Sequence, residues 1–72
     1  MKFMKFIAPK MYVGLEVQKS HGYHDIYVNA DKILAVQPID AIHCQLKITD
    51  MQFIIVKGNV HTIGEKLNES IG

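Results

Sequence analysis

The sequence predicts an α+β fold: an antiparallel β-meander of four to five strands, one C-terminal helix packed on one face, and assembly into an oligomer. Three observations carry that expectation. Apolar residues alternate at period two through most of the chain. Turn-forming residues interrupt the alternation around Gly22, at "NAD" (29–31) and at Asp50-Met51. The period changes only at the end, where Val60, Ile63, Leu67 and Ile71 recur at spacings of three and four.

The elements follow in order. Residues 2–8, "KFMKFIA", read as extended, with Pro9 marking a bend or a sheet edge. Over 11–18, Met11, Val13, Leu15 and Val17 alternate with polar or small residues, the pattern of a half-buried strand. A strand over 24–29 follows, with Ile26 and Val28 on one face. A hairpin centred on His21-Gly22 sets Val17 opposite Ile26 and Leu15 opposite Val28, and Gly22 supplies the positive φ such a turn needs. "KILAVQ" (32–37) is a further strand stopped by Pro38, and "IDAIH" reads as a loop. Strands over 44–49 and 52–57 flank the Asp50-Met51 turn, which sets Ile48 opposite Phe53 and Leu46 opposite Ile55. The helix spans about 60–70. Asn59 is a good N-cap; Thr62 with Glu65 is an alternative capping box. Gly64 weakens the helix and is expected where it packs closely on the sheet.

Seventy-two residues form one small domain, and small domains bury a low fraction of their surface. Cys44 is the only cysteine, so no intrachain disulfide can staple it. An apolar content of 49% points instead to a partner subunit. One helix covers one sheet face. The other is expected to carry Ile54 and Val56, with Ile33/Ala35 or Leu34/Val36, and to meet a second copy together with Tyr12. Eight lysines, no arginine and a net charge of +1 argue against sequence-specific DNA readout. In "MKFMKFIAP", Lys5 interrupts the apolar run and Pro9 ends it, unlike a secretory leader. No stretch is long enough to span a bilayer. A cytoplasmic location is expected, which the lone thiol fits.

The residues with chemical potential are few. His21, His24, Asp25, His43, Cys44 and His61 lack the spacing of a zinc module, and adjacent His43 and Cys44 point to opposite faces of a strand. Cys44 shares an apolar alternation with Leu46 and Ile48, which reads as a buried residue rather than a nucleophile. The five glycines are scattered, so no phosphate loop is present. No cofactor and no catalytic residue are predicted. Lys19, His21, Tyr23, His24 and Tyr27 gather near the expected hairpin tip and are the candidate partner- or ligand-binding residues. Exposed tyrosines there could stack on a base or pack in an interface.

The segment 25–71 resembles the FlbD-type family of small flagellar and swarming-motility proteins, and short phage and plasmid proteins of the same pattern. Ile26, Val28, Asn29, Asp31 and Ile33 match its first part. Val56, Lys57, Val60 and Ile63 match its second, with Asn59 at the helix cap. The resemblance implies a non-enzymatic, β-rich, oligomeric accessory protein and carries over no catalytic residue. The expected function is therefore a regulatory or accessory protein that binds a protein partner. A binder that sequesters a nucleotide signal at a subunit interface is the alternative, and a metal-dependent or thiol enzyme the least supported one.

Overall fold

A computed structural model describes residues 2–71, the side chains of 70 and 71 excepted. The fold is α+β, as predicted. Its strands are β1 (Phe3–Pro9), β2 (Tyr12–Val13), β3 (Glu16–Val17), β4 (Tyr23–Asn29), β5 (Ala35–Asp40), β6 (His43–Lys47) and β7 (Phe53–Lys57), followed by α1 (Val60–Ile71). Five of them form one antiparallel sheet in the order β4-β1-β7-β6-β5, and β2 and β3 form a separate two-stranded ribbon. β5, β6 and β7 make a meander; β1 inserts between β4 and β7.

That insertion overturns the expected hairpin of 11–18 with 24–29. β4 pairs instead with β1, in an unbroken register from Phe3↔Asn29 to Pro9↔Tyr23. Residues 11–18 fold back on themselves, with Tyr12 opposite Val17 and Val13 opposite Glu16. Gly14, at φ +62°, makes the reversal that the regular alternation concealed. The physical reason is burial. β1 offers Met4, Phe6 and Ala8 on one face, all buried, and Met4 and Phe6 pair with Val28 and Ile26. Leu15 and Val13 remain exposed in the ribbon.

The "IDAIH" segment is the second correction. It is a hairpin connection in which β5 runs on to Asp40 and β6 starts at His43, after a register shift between Pro38 and Asp40. Pro38 thus lies within an edge strand beside a bulge, where a missing N–H is tolerated. Asn29 Oδ1 accepts from the Asp31 N–H at 3.0 Å, opening a short 3-10 turn over Ala30–Lys32.

The third correction is a face reversal. The Asp50-Met51 turn forms, closed by paired backbone bonds between Thr49 and Gln52. The Gln52 carbonyl, however, accepts from both Ile48 N–H (3.0 Å) and Thr49 N–H (3.3 Å). Two residues therefore oppose one, which is a β-bulge. The register shifts by one, so Leu46 faces Ile54 and Cys44 faces Val56. A one-residue shift exchanges the faces. Ile54 and Val56 consequently turn toward α1, and Val56 is fully buried in the chain's own core. Neither occupies the partner-facing surface expected for it.

The core comprises Met4, Phe6, Val28, Ala30, Cys44, Leu46 and Val56 against Ile63 and Leu67 of α1. Asn59 caps the helix, its side chain accepting from the His61 N–H at 2.8 Å. Val60, Ile63 and Leu67 face the sheet as the stripe predicts; the side chain of Ile71 lies outside those described. Gly64 has open space where a Cβ would stand, so close packing does not explain it. The close approach is at Gly58, where a Cβ would lie 2.7 Å from Ile63 Cδ1 at a φ of +149°. Lys66 pins the helix to β1, donating to the Lys5 carbonyl at 2.7 Å with its ammonium 4.9 Å from the Phe6 ring centroid. No helix among the described residues is long and apolar enough to cross a membrane.

Candidate functional site

Two features of the face opposite α1 stand out: a chain of hydrogen bonds around His43, and the free edge at β4.

His43 is fully buried and is the only buried polar side chain among the described residues. Burying an imidazole without partners is costly, and both nitrogens have one. Nδ1 lies 2.9 and 3.0 Å from the two Asp40 carboxylate oxygens. Nε2 lies 2.8 Å from the Tyr23 phenol oxygen. The Asp40 carboxyl is held below its ordinary value chiefly by the Ile42 N–H, which it accepts at 2.9 Å, and further by His43, with partial burial working against them. An ionised carboxylate only accepts. In the neutral ring Nδ1 therefore carries the proton, and Nε2 accepts from the Tyr23 O–H. The planes of the two rings lie within 9° of parallel, their centroids 5.8 Å apart, and the Lys57 ammonium sits 4.9 Å from the Tyr23 ring centroid.

The local backbone explains the arrangement. The shift between Pro38 and Asp40 and the two-residue connection at Ala41-Ile42 bring the Asp40 carboxylate back to the start of β6. His43 and Lys57 are cross-strand partners. Tyr23 begins β4 and reaches His43 with β1 and β7 between their strands. The chain Asp40–His43–Tyr23 thus ties the edge strand β4 to the β5–β6 connection. Its order, carboxylate to imidazole to hydroxyl, is also that of an activated nucleophile. The phenol also closes the chain on a fully buried ring and so braces it.

Cys44, next to His43, points to the other face, as expected. Its thiol is buried, donates to the Gly58 carbonyl at 3.1 Å, and is pushed up by burial and by the Asp40 charge. Among the described residues no group of three or more His, Cys, Asp or Glu side chains could hold a metal ion.

The candidate binding residues are not brought together. Lys19 and His21 lie exposed on a short 3-10 turn, closed by the Gly22 N–H donating to the Lys19 carbonyl. Tyr23 is half-buried in the brace. His24 is exposed but projects from the opposite face of β4. Tyr27 shares the face of Tyr23 at about 13 Å along the strand and is 68% exposed. Tyr12 covers part of the outer face within the same chain, its ring centroid 6.3 Å from that of Phe53. An open groove of about 520 Å³ runs beside them, past Met51 and Gln52. Outer-face Ile55 is fully buried between the Tyr12–Phe53 and Tyr23–His43 pairs. The ribbon thus does part of the covering that was expected of a second subunit.

What remains uncovered lies on β1 and β4. Phe3 (57%), Ile7 (44%) and Tyr27 are exposed on one face, around a Lys5–Asp25 ion pair of 3.6 Å. Among the described residues, the strand edge beside them is unpaired. The Ala30 N–H bonds the Lys2 carbonyl and the Lys10 N–H bonds the Gly22 carbonyl, so even-numbered residues of β4 make the ladder to β1. The N–H and C=O groups of Tyr23, Asp25, Tyr27 and Asn29 point outward, and β4 ends the sheet.

Comparison with protein-family models, with curated proteins and with solved structures finds no match for this chain.

Proposed function

We propose that this chain is a small, non-enzymatic accessory protein that works by binding another polypeptide along the β4 edge. The supporting observation is that edge itself: a seven-residue strand whose outward backbone groups, at Tyr23, Asp25, Tyr27 and Asn29, are unpaired among the described residues, flanked by exposed Phe3, Ile7 and Tyr27. Adding a strand to such an edge satisfies the backbone groups, and the adjoining apolar side chains supply specificity. The opposite edge is less suited, because β5 carries Pro38 and a register shift. The resemblance to FlbD-type small proteins agrees with this reading. Nucleotide sequestration draws less support, since Tyr23 is engaged by His43 and His24 projects from the other face.

A photo-crosslinking residue at position 27 of the full chain, expressed in cells, tests the proposal. Discrete crosslinked polypeptide adducts are expected there and not from the same residue at position 69 on α1. Equal, diffuse labelling from both positions would refute it.

A further inference from the structure

We infer that the polypeptide taken up by the β4 edge is a second copy of this chain, paired antiparallel to the first across a two-fold axis at Ile26. The inference rests on the sheet-edge reading above and adds the partner and the register.

The edge is self-complementary. Its outward groups belong to the odd-numbered residues 23, 25, 27 and 29. Centring on Ile26 matches Tyr23 with Asn29 of the other copy, and Asp25 with Tyr27. All four outward residues then form hydrogen-bonded pairs, about eight bonds in all. The neighbouring registers do worse. Centring on Asp25 sets two carboxylates opposite one another, a destabilising pair, and leaves Asn29 without a mate. Centring on Tyr27 leaves Tyr23 opposite residue 31, beyond the strand.

The side chains select the same axis. On the α1 side Phe6 pairs with Ile26, and Ile26 is half-buried against the core. A two-fold at Ile26 extends that row as Phe6, Ile26, Ile26, Phe6, so the two cores meet across the new ladder. On the outer face Lys5 pairs with Tyr27, and Tyr27 then meets Asp25 of the other copy, giving the row Lys5, Tyr27, Asp25, Ile7. The Lys5–Asp25 ion pair within each copy balances the one charge on the strand. Apart from Asp25, whose charge Lys5 offsets, β4 lacks the features that block edge pairing: it has no proline, no lysine and no bulge.

The register gives a direct test. At an axis through a non-hydrogen-bonded pair the two Cα atoms approach to about 4.5 Å, within disulfide range. Ile26→Cys is expected to form a crosslinked dimer on mild oxidation, with wild type and His24→Cys remaining uncrosslinked. By sedimentation, wild type is expected to be a dimer. Asp25→Pro removes an outward N–H and keeps the β1 ladder; Ile26→Lys opposes two ammonium groups. Each is expected to weaken self-association about tenfold or more, with circular dichroism unchanged. A wild-type monomer throughout the micromolar range, or crosslinking from His24→Cys rather than Ile26→Cys, overturns the inference. A monomer that still gives discrete foreign adducts from position 27 overturns self-pairing alone. A monomer without such adducts overturns the sheet-edge reading as well.

Discussion

Replacing Tyr23 with phenylalanine is the sharpest probe of the brace. Tyr23→Phe keeps the ring beneath the Lys57 ammonium and parallel to His43, and deletes only the O–H that reaches Nε2 at 2.8 Å. His43 is fully buried, so Nε2 is left with neither solvent nor another protein partner. A buried acceptor stranded in this way costs about 1–3 kcal/mol. For a domain of this size that is a fall in Tm of roughly 5–20 °C. Urea unfolding at fixed protein concentration would measure it, with the midpoint lowered and the m-value unchanged. His43→Leu in the same background should recover part of the loss, because removing both partners removes the stranded acceptor. The double-mutant cycle should then give a coupling of about 1 kcal/mol or more. A Tyr23→Phe loss below about 0.5 kcal/mol, with no coupling, would show that the phenol does not hold the imidazole.

Two further outcomes follow from the same geometry. The Asp40 carboxyl is held below its ordinary value when folded, so its contribution to stability is present above the unfolded carboxylate range and is lost as pH falls through the lower folded value. Asp40→Asn should therefore flatten the decline in stability between about pH 5 and pH 2.5, read by urea midpoints across that range. The two glycines flanking the start of α1 should respond in opposite directions. Gly58→Ala brings a Cβ against Ile63 at an unfavourable φ and should cost about 1–3 kcal/mol. Gly64→Ala meets open space in a helix and should stabilise by about 0.5–1 kcal/mol. Equal effects at the two positions, by thermal unfolding, would refute that assignment.

The helix was legible from local chemistry: the Val60, Ile63, Leu67 spacing and the Asn59 cap act within one or two turns. Burial of Cys44 was legible from its alternation with Leu46. The Asp50-Met51 turn was legible too, but its consequence was not. The bulge at Ile48 and Thr49 leaves no mark on the period of the flanking strands, yet it moves Ile54 and Val56 from the outer face to the core. Nor did the sequence contain the brace as a pattern. The one local sign was an aspartate three residues before a histidine across a short turn, in a chain with three other histidines. Tyr23 lies twenty residues upstream of His43.

Sequence alone therefore determined the helical segment, most of the extended ones, and many of the residues that favour burial, because period and capping depend on neighbours a few residues apart. Only the tertiary structure decided which strand lies beside which. β1, β4 and the ribbon all carry the same alternation, and alternation cannot rank partners. The decision falls to the pairing that buries Met4 and Phe6 with Val28 and Ile26, and that same choice takes Tyr23 to His43 and leaves β4 as an open edge.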